Sequence, residues 1–135
     1  MNNNNNNNKI KFLGFRWWDL ITEKMSYVDF DDILHQENLP HHSSCDYEVM
    51  RVAFISENGK PVYEGDILSW HEYQGWEIGI TIEGIYIVKW NDSSQEFTLY
   101  DPFMSECFNA LDTNYDEVVG NIYENKNLLP SEENS

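Results

Sequence analysis

The chain has 135 residues, of which 41% are hydrophobic and 15% aromatic, and 24 acidic against 8 basic side chains give a formal net charge of −16. That length holds one core of ordinary domain size, and the apolar share excludes disorder over the whole chain. The negative field repels nucleic-acid phosphates and anionic headgroups, which argues against direct nucleic-acid or membrane binding and for a basic or zwitterionic protein partner.

Met1 is followed by asparagine from Asn2 to Asn8. Such a run buries no apolar surface, so residues 1–8 are expected to be a disordered tail, with an ordered domain over 9–129 and a polar tail at 130–135. No apolar targeting segment follows Met1, and no stretch approaches the length of a membrane-spanning helix. With Cys45 and Cys107 far apart, the expectation is two free, buried thiols in a reducing cytoplasm. Lys9, Lys11 and Arg16 crowd near the start but are too few for a nucleic-acid footprint.

Lys11–Trp18 is an aromatic-rich strand, Asp19–Lys24 a turn and Met25–Val28 the returning strand of a hairpin. Asp29–Asp46 lacks any period. Pro40 and His41-His42-Ser43-Ser44 break it, which predicts a long loop. Glu48–Ile55 is a strand, and Asn58-Gly59 is a strong hairpin signal because both residues tolerate positive φ. Pro61 has no N–H for a ladder and belongs at a strand start or edge. Gly65-Asp66 leads into a strand at Ile67–Trp70.

Ile78, Ile80 and Ile82 alternate with smaller residues, Glu83-Gly84 reads as a turn or bulge, and Ile85–Trp90 continues as an apolar strand. Asn91–Ser94 turns into a strand at Glu96–Tyr100. One short helix is predicted near residues 102–111, with Asp101 as N-cap and Pro102 in the first helical position. Phe103, Met104, Cys107, Phe108 and Leu111 would then form one stripe packed on the sheet. A last strand runs over Glu117–Tyr123, and Lys126–Leu129 packs back. The pattern describes a mainly β, single small domain.

No catalytic set emerges from these residues. His35, His41, His42, Cys45 and Asp46 gather metal-capable side chains, but a structural zinc site needs a second close pair, so a solvated polar loop is the expectation. Asp29, Asp31 and Asp32 are the densest acidic cluster and lack the spacing of a calcium loop. Glu64 and Asp66 flank Gly65 as a turn would. There is no phosphate-cradling glycine motif, and neither metal nor cofactor is expected. Trp70, Tyr73 and Trp76 surround the turn-like His71-Glu72 and Gln74-Gly75. Together with Asp29, Asp31 and Asp32 they are the candidate partner contacts, since Trp and Tyr are the usual anchors of protein interfaces.

Three blocks together resemble the YopX family, found mainly in bacteriophages and prophages. They are Phe15-Arg16-Trp17-Trp18-Asp19 with Lys24-Met25, then Asn58-Gly59-Lys60-Pro61-Val62-Tyr63-Glu64-Gly65-Asp66-Ile67, then Val118-Val119-Gly120-Asn121-Ile122-Tyr123-Glu124-Asn125 with Leu128-Leu129. Their order and spacing agree with the family over roughly Lys9 to Leu129. Arg51–Ile55 lacks the threonine-glycine pair of the pattern, and the loop from Phe30 to Asp46 is this chain's own. The resemblance implies a β-barrel-like or strongly curved antiparallel sheet with a minor helical part. It also implies a phage or prophage origin, and it carries over no catalytic residue. Arg16, Trp18, Asp19, Gly59, Tyr63, Glu64, Gly65, Asp66, Gly120, Asn121 and Tyr123 are its fold signature, residues of the kind that build turns and cores.

The functional expectation is a non-enzymatic accessory protein in the cytoplasm of a phage-infected bacterial host, binding an unidentified protein. The alternative is an acidic nucleic-acid mimic that inhibits a DNA-binding enzyme. It would present Asp29, Asp31, Asp32, Glu37, Asp46 and Glu48 in a row at phosphate spacing. An enzyme acting on a small molecule or nucleotide would instead need a concave pocket collecting polar groups. Exposed edge strands leave a homo-oligomer open.

Overall fold

The structure is a computed structural model that describes residues 15–28, 46–74 and 79–131. These form nine strands: β1 (Phe15–Asp19), β2 (Lys24–Val28), β3 (Tyr47–Ile55), β4 (Pro61–Tyr63), β5 (Asp66–Gln74), β6 (Ile80–Asn91), β7 (Glu96–Asp101), β8 (Glu106–Asn109) and β9 (Glu117–Asn121). A 3-10 turn follows at Lys126–Leu128. All pairings are antiparallel, within two sheets of order β2-β1-β3-β4 and β8-β7-β6-β5-β9. The chain divides into two compact units between Tyr63 and Glu64. The mainly β, antiparallel character read from the sequence is what the fold shows.

In the first unit β1 lies between β2 and β3, with Trp17 opposite Ser26 on one side and Val49 on the other. Its sequence does not alternate because Arg16, Trp17 and Trp18 are all buried, which uses both faces of the strand. Val28, Met50, Val62 and Tyr63 complete this core. At the β3–β4 turn the Ser56 amide donates to the Lys60 carbonyl (2.8 Å), and Gly59 takes a φ of +84°. Pro61 opens β4, an edge strand, where its missing N–H costs nothing.

In the second unit β5 and β6 pair from Ile67↔Ile87 out to Gln74↔Ile80. Ile67, Ile87 and Leu129 form a buried cluster that Ile85, Tyr100, Ile122 and Leu128 flank, so the segment after β9 does pack back as expected. The opposite face buries Leu68, Tyr86, Val88 and Leu99. Each fully buried Ile, Leu or Val contributes roughly 1.5–3 kcal/mol relative to exposure, which makes this double-faced strip the main source of the unit's stability. Register shifts between Val52 and Phe54 and between Ile67 and Leu68 supply local curvature, because a bulge bends its strand and increases its twist.

Two expected turns are corrected. Glu83-Gly84 is neither turn nor bulge: β6 runs straight through it, with Glu83 opposite His71 and Gly84 opposite Trp70. His71-Glu72 is likewise strand, not turn.

The helix near 102–111 does not form. Asp101 does cap, its Oδ1 accepting from the Phe103 and Met104 amides (2.9 and 3.1 Å). Ser105 then adopts a φ of +56° and donates to the Asp101 carbonyl, and the chain reverses into β8. The same side-chain bond opens a helix or a tight turn, and here pairing with β7 selects the turn.

The apolar stripe is consequently not core. Phe103, Met104, Phe108 and Leu111 are exposed, and Cys107 is an exposed free thiol, not a buried one. The tail at 1–8, the loop over 29–45, Cys45 and most of the C-terminal tail lie outside the described residues.

Candidate functional site

The sequence blocks that stood out meet each other in the fold. The Arg16 guanidinium, on buried β1, lies 4.7 Å from the Tyr63 ring centroid, which joins the first block to the second within one unit. Tyr27 packs edge-on against the same ring at 5.6 Å. Trp18 is core, and Asp19 holds the β1–β2 turn through its carboxylate. In the second unit Gly65 takes a φ of +86°, donates to the Val88 carbonyl and accepts from the Ile122 amide. Asp66, buried, stands opposite Asn121.

Asn121 is the hub of the last block. Its Oδ1 accepts from the Tyr123 and Glu124 amides (3.0 and 2.9 Å), and its Nδ2 donates to Glu124 Oε1 (2.7 Å). Asn125 Oδ1 accepts the Asn121 amide in turn. A Cβ on Gly120 would collide with the Asn125 side chain, so glycine is required there. These signature residues build turns, edges and core.

Of the proposed partner contacts, Trp70 is half-buried and borders an open cleft. Its ring stacks on Tyr86 (5.7 Å between centroids) and covers Gly84. Trp76, Asp29, Asp31, Asp32 and Glu37 lie outside the described residues, as do His35, His41, His42 and Cys45. Tyr73 is exposed, and its setting is distinctive. β9 pairs with β5 only over Asp66–Ser69, and β7 pairs with β6 only from Ile87 onward. His71–Gln74 and Ile80–Glu83 therefore extend as a two-stranded ribbon past the rest of their sheet.

The ribbon carries Ile80 and Ile82 on the face of Glu72, and Tyr73 on the other face beside Thr81. All three apolar side chains are exposed, Tyr73 at 58%. A two-stranded ribbon is marginal alone and cannot bury apolar groups on both faces by itself. These residues are the best-placed contact surface among those described.

At the ribbon's root His71 Nδ1 lies 2.6 Å from Asp116 Oδ2, and the Asp116 amide donates to the Ser69 carbonyl (2.7 Å). The hydrogen bond to the Asp116 carboxylate raises the His71 pKa above its ordinary value, with the charges of Asp116 and Glu83 adding. Ser69 Oγ donates to the Glu117 carbonyl (3.3 Å), so the hydroxyl beside this pair is tied to backbone. Ser69, Glu83, Ile85, Asp116 and Glu117 border an open cleft of about 460 Å³.

Sequence reading missed the His71–Asp116 pair because 45 positions separate its members and neither sits in a motif. Among the described residues no group of three or more His, Cys, Asp and Glu is placed to hold a metal ion. No helix among them is long and apolar enough to cross a membrane.

The YopX protein family model matches residues 14–130. No curated protein matches the chain. The match spans all three blocks and both units, from the buried Arg16–Tyr63 contact to the Asn121–Asn125 turn. This chain is a member of the YopX family.

Proposed function

We propose that the protein is a non-enzymatic binding module of phage or prophage origin that acts in the bacterial cytoplasm by engaging another protein. The observation that carries this reading is the β5–β6 ribbon, which presents Tyr73, Ile80 and Ile82 beyond the support of its own sheet. Tyrosine is among the usual anchors of a protein interface, and the neighbouring exposed isoleucines add apolar area that a partner would bury. The His71–Asp116 pair supports the reading as a brace, since it ties the base of the ribbon to the segment leading into β9.

The test compares the wild-type chain with a Tyr73→Ser/Ile82→Ser variant as bait in bacterial lysate at native salt. A partner retained by the wild type is then purified and titrated against both forms. A one-to-one complex that the variant weakens by about tenfold or more, the loss expected of interface anchors, supports the ribbon as the contact. Equal binding by both forms removes it.

A further inference from the structure

Three hairpins in this chain are built to one template. Asp19, Asn91 and Asp101 each end a strand, and each side-chain Oδ1 accepts the amides two and three residues on. The fifth residue of each, Glu23, Gln95 and Ser105, takes a positive φ between 55° and 58°. The registers close alike, as Asp19↔Lys24, Asn91↔Glu96 and Asp101↔Glu106. The tips nonetheless differ. The middle hairpin carries Asp92, Ser93 and Ser94, whereas the β7–β8 hairpin carries Phe103 and Met104, exposed at 63% and 62%.

The middle hairpin is an internal control: the turn forms with an entirely polar tip, so local structure does not require Phe103 or Met104. Nor does the core use them, for both side chains stand in solvent. Phe108 of β8 is also partly exposed, its ring 5.7 Å from that of Tyr86, and β8 is paired only with β7 among the described residues.

We infer that the Phe103–Met104 tip and the adjoining β8 edge form a second docking surface, and that its occupant is a cationic protein segment carrying apolar side chains. Charge selects that occupant. Glu106 at the start of β8 and Asp112, three residues past its end, are both exposed and acidic. A second copy would bring the same acidic surface against itself at a net charge of −16 per chain. A lysine-bearing extended segment instead meets opposite charge, a strand edge unpaired among the described residues and two apolar knobs. This surface shares the binding-module reading but does not depend on the ribbon.

The test uses the full chain and a short blocked peptide that alternates lysine with leucine, followed by NMR at the Met104 methyl and the amides of residues 103–109. Saturable shifts confined to that region are expected. They should weaken about tenfold or more in Phe103→Ser/Met104→Ser, which gives this turn the polar tip of the middle hairpin. They should also be lost with a peptide alternating lysine and serine, and be unchanged in Tyr73→Ser/Ile82→Ser.

Equal binding by the tip variant, or shifts spread evenly over acidic residues, overturns the proposal. Concentration-dependent broadening of the Met104 methyl without peptide makes a second copy the occupant and overturns it too. Loss of peptide binding in the ribbon variant alone overturns the tip and leaves the ribbon reading standing. Should the double variant fail to fold by circular dichroism, Met104→Lys carries the test, because a cation at the tip must weaken a lysine-bearing peptide.

Discussion

The indole of Trp70 covers the backbone of Gly84, its registered neighbour across β5 and β6, so closely that a Cβ on Gly84 would lie 2.5 Å from the ring. Glycine weakens a strand interior by leaving nothing to pack, and an aromatic ring laid over it restores the missing contact. Trp70 is held there by stacking on Tyr86. Gly84→Ala should therefore destabilise the protein by about 1–3 kcal/mol, the cost of overpacking. The urea midpoint should fall without a change in slope. In a Trp70→Ala background the same substitution should cost less, because the two residues are in direct contact.

The Asn121–Asn125 turn predicts a second loss. Removing the Asn121 side chain takes acceptors from the Tyr123 and Glu124 amides at a buried position. Asn121→Ala should cost about 0.5–1.5 kcal/mol by thermal melting, the net range for a lost intramolecular hydrogen bond whose donors water can reach. Asn121→Asp keeps the Oδ1 acceptor but replaces the Nδ2 donor with a second carboxylate beside Glu124, so it should also destabilise at neutral pH and less so at acid pH.

His71 should titrate above its ordinary range, since its imidazolium is stabilised by Asp116. The sign follows from a folded-state pKa above the unfolded one. The pair's contribution is fully present below the unfolded value and fades as pH rises through the folded one. NMR titration of the His71 ring should show the raised pKa, and Asp116→Asn should lower it. A His71 pKa that does not respond to Asp116→Asn would count against the pair as a brace.

Three non-glycine residues hold left-handed backbone at the hairpins, Glu23, Gln95 and Ser105. Glycine reaches that region without the Cβ clash but is freer when unfolded. Gln95→Gly, in the exposed polar turn, should raise stability by about 0.5–1 kcal/mol in chemical denaturation. Asn91→Ala at the same turn should lower it by about 1 kcal/mol, through loss of the two amide bonds to its side chain.

Much of the strand content is legible along the chain because pleating imposes a two-residue period and turns demand particular residues. The Asn58-Gly59 turn, the edge position of Pro61 and the strands over Glu48–Ile55 and Ile85–Trp90 follow from those local rules. The three blocks also identify the family before any coordinate is known. The segment after Asp101 shows where local rules stop. An aspartate followed by proline caps a helix or a hairpin equally well, and the apolar spacing that follows suits a helical stripe. Pairing of β8 with β7, a nonlocal event, decides for the hairpin and leaves Phe103 and Met104 in solvent.

The candidate contact surfaces are tertiary in the same sense. Trp70, Tyr73 and Trp76 look alike as a sequence cluster, but strand parity and the bare backbone of Gly84 leave Trp70 half-buried while Tyr73 stays exposed. His71 acquires its carboxylate partner only because β9 is led in beside β5. The sequence by itself determined the β class, the family and the strong acidity. The tertiary structure decided which apolar side chains remain exposed, because exposure depends on which strands have neighbours and pairing joins residues far apart in the chain.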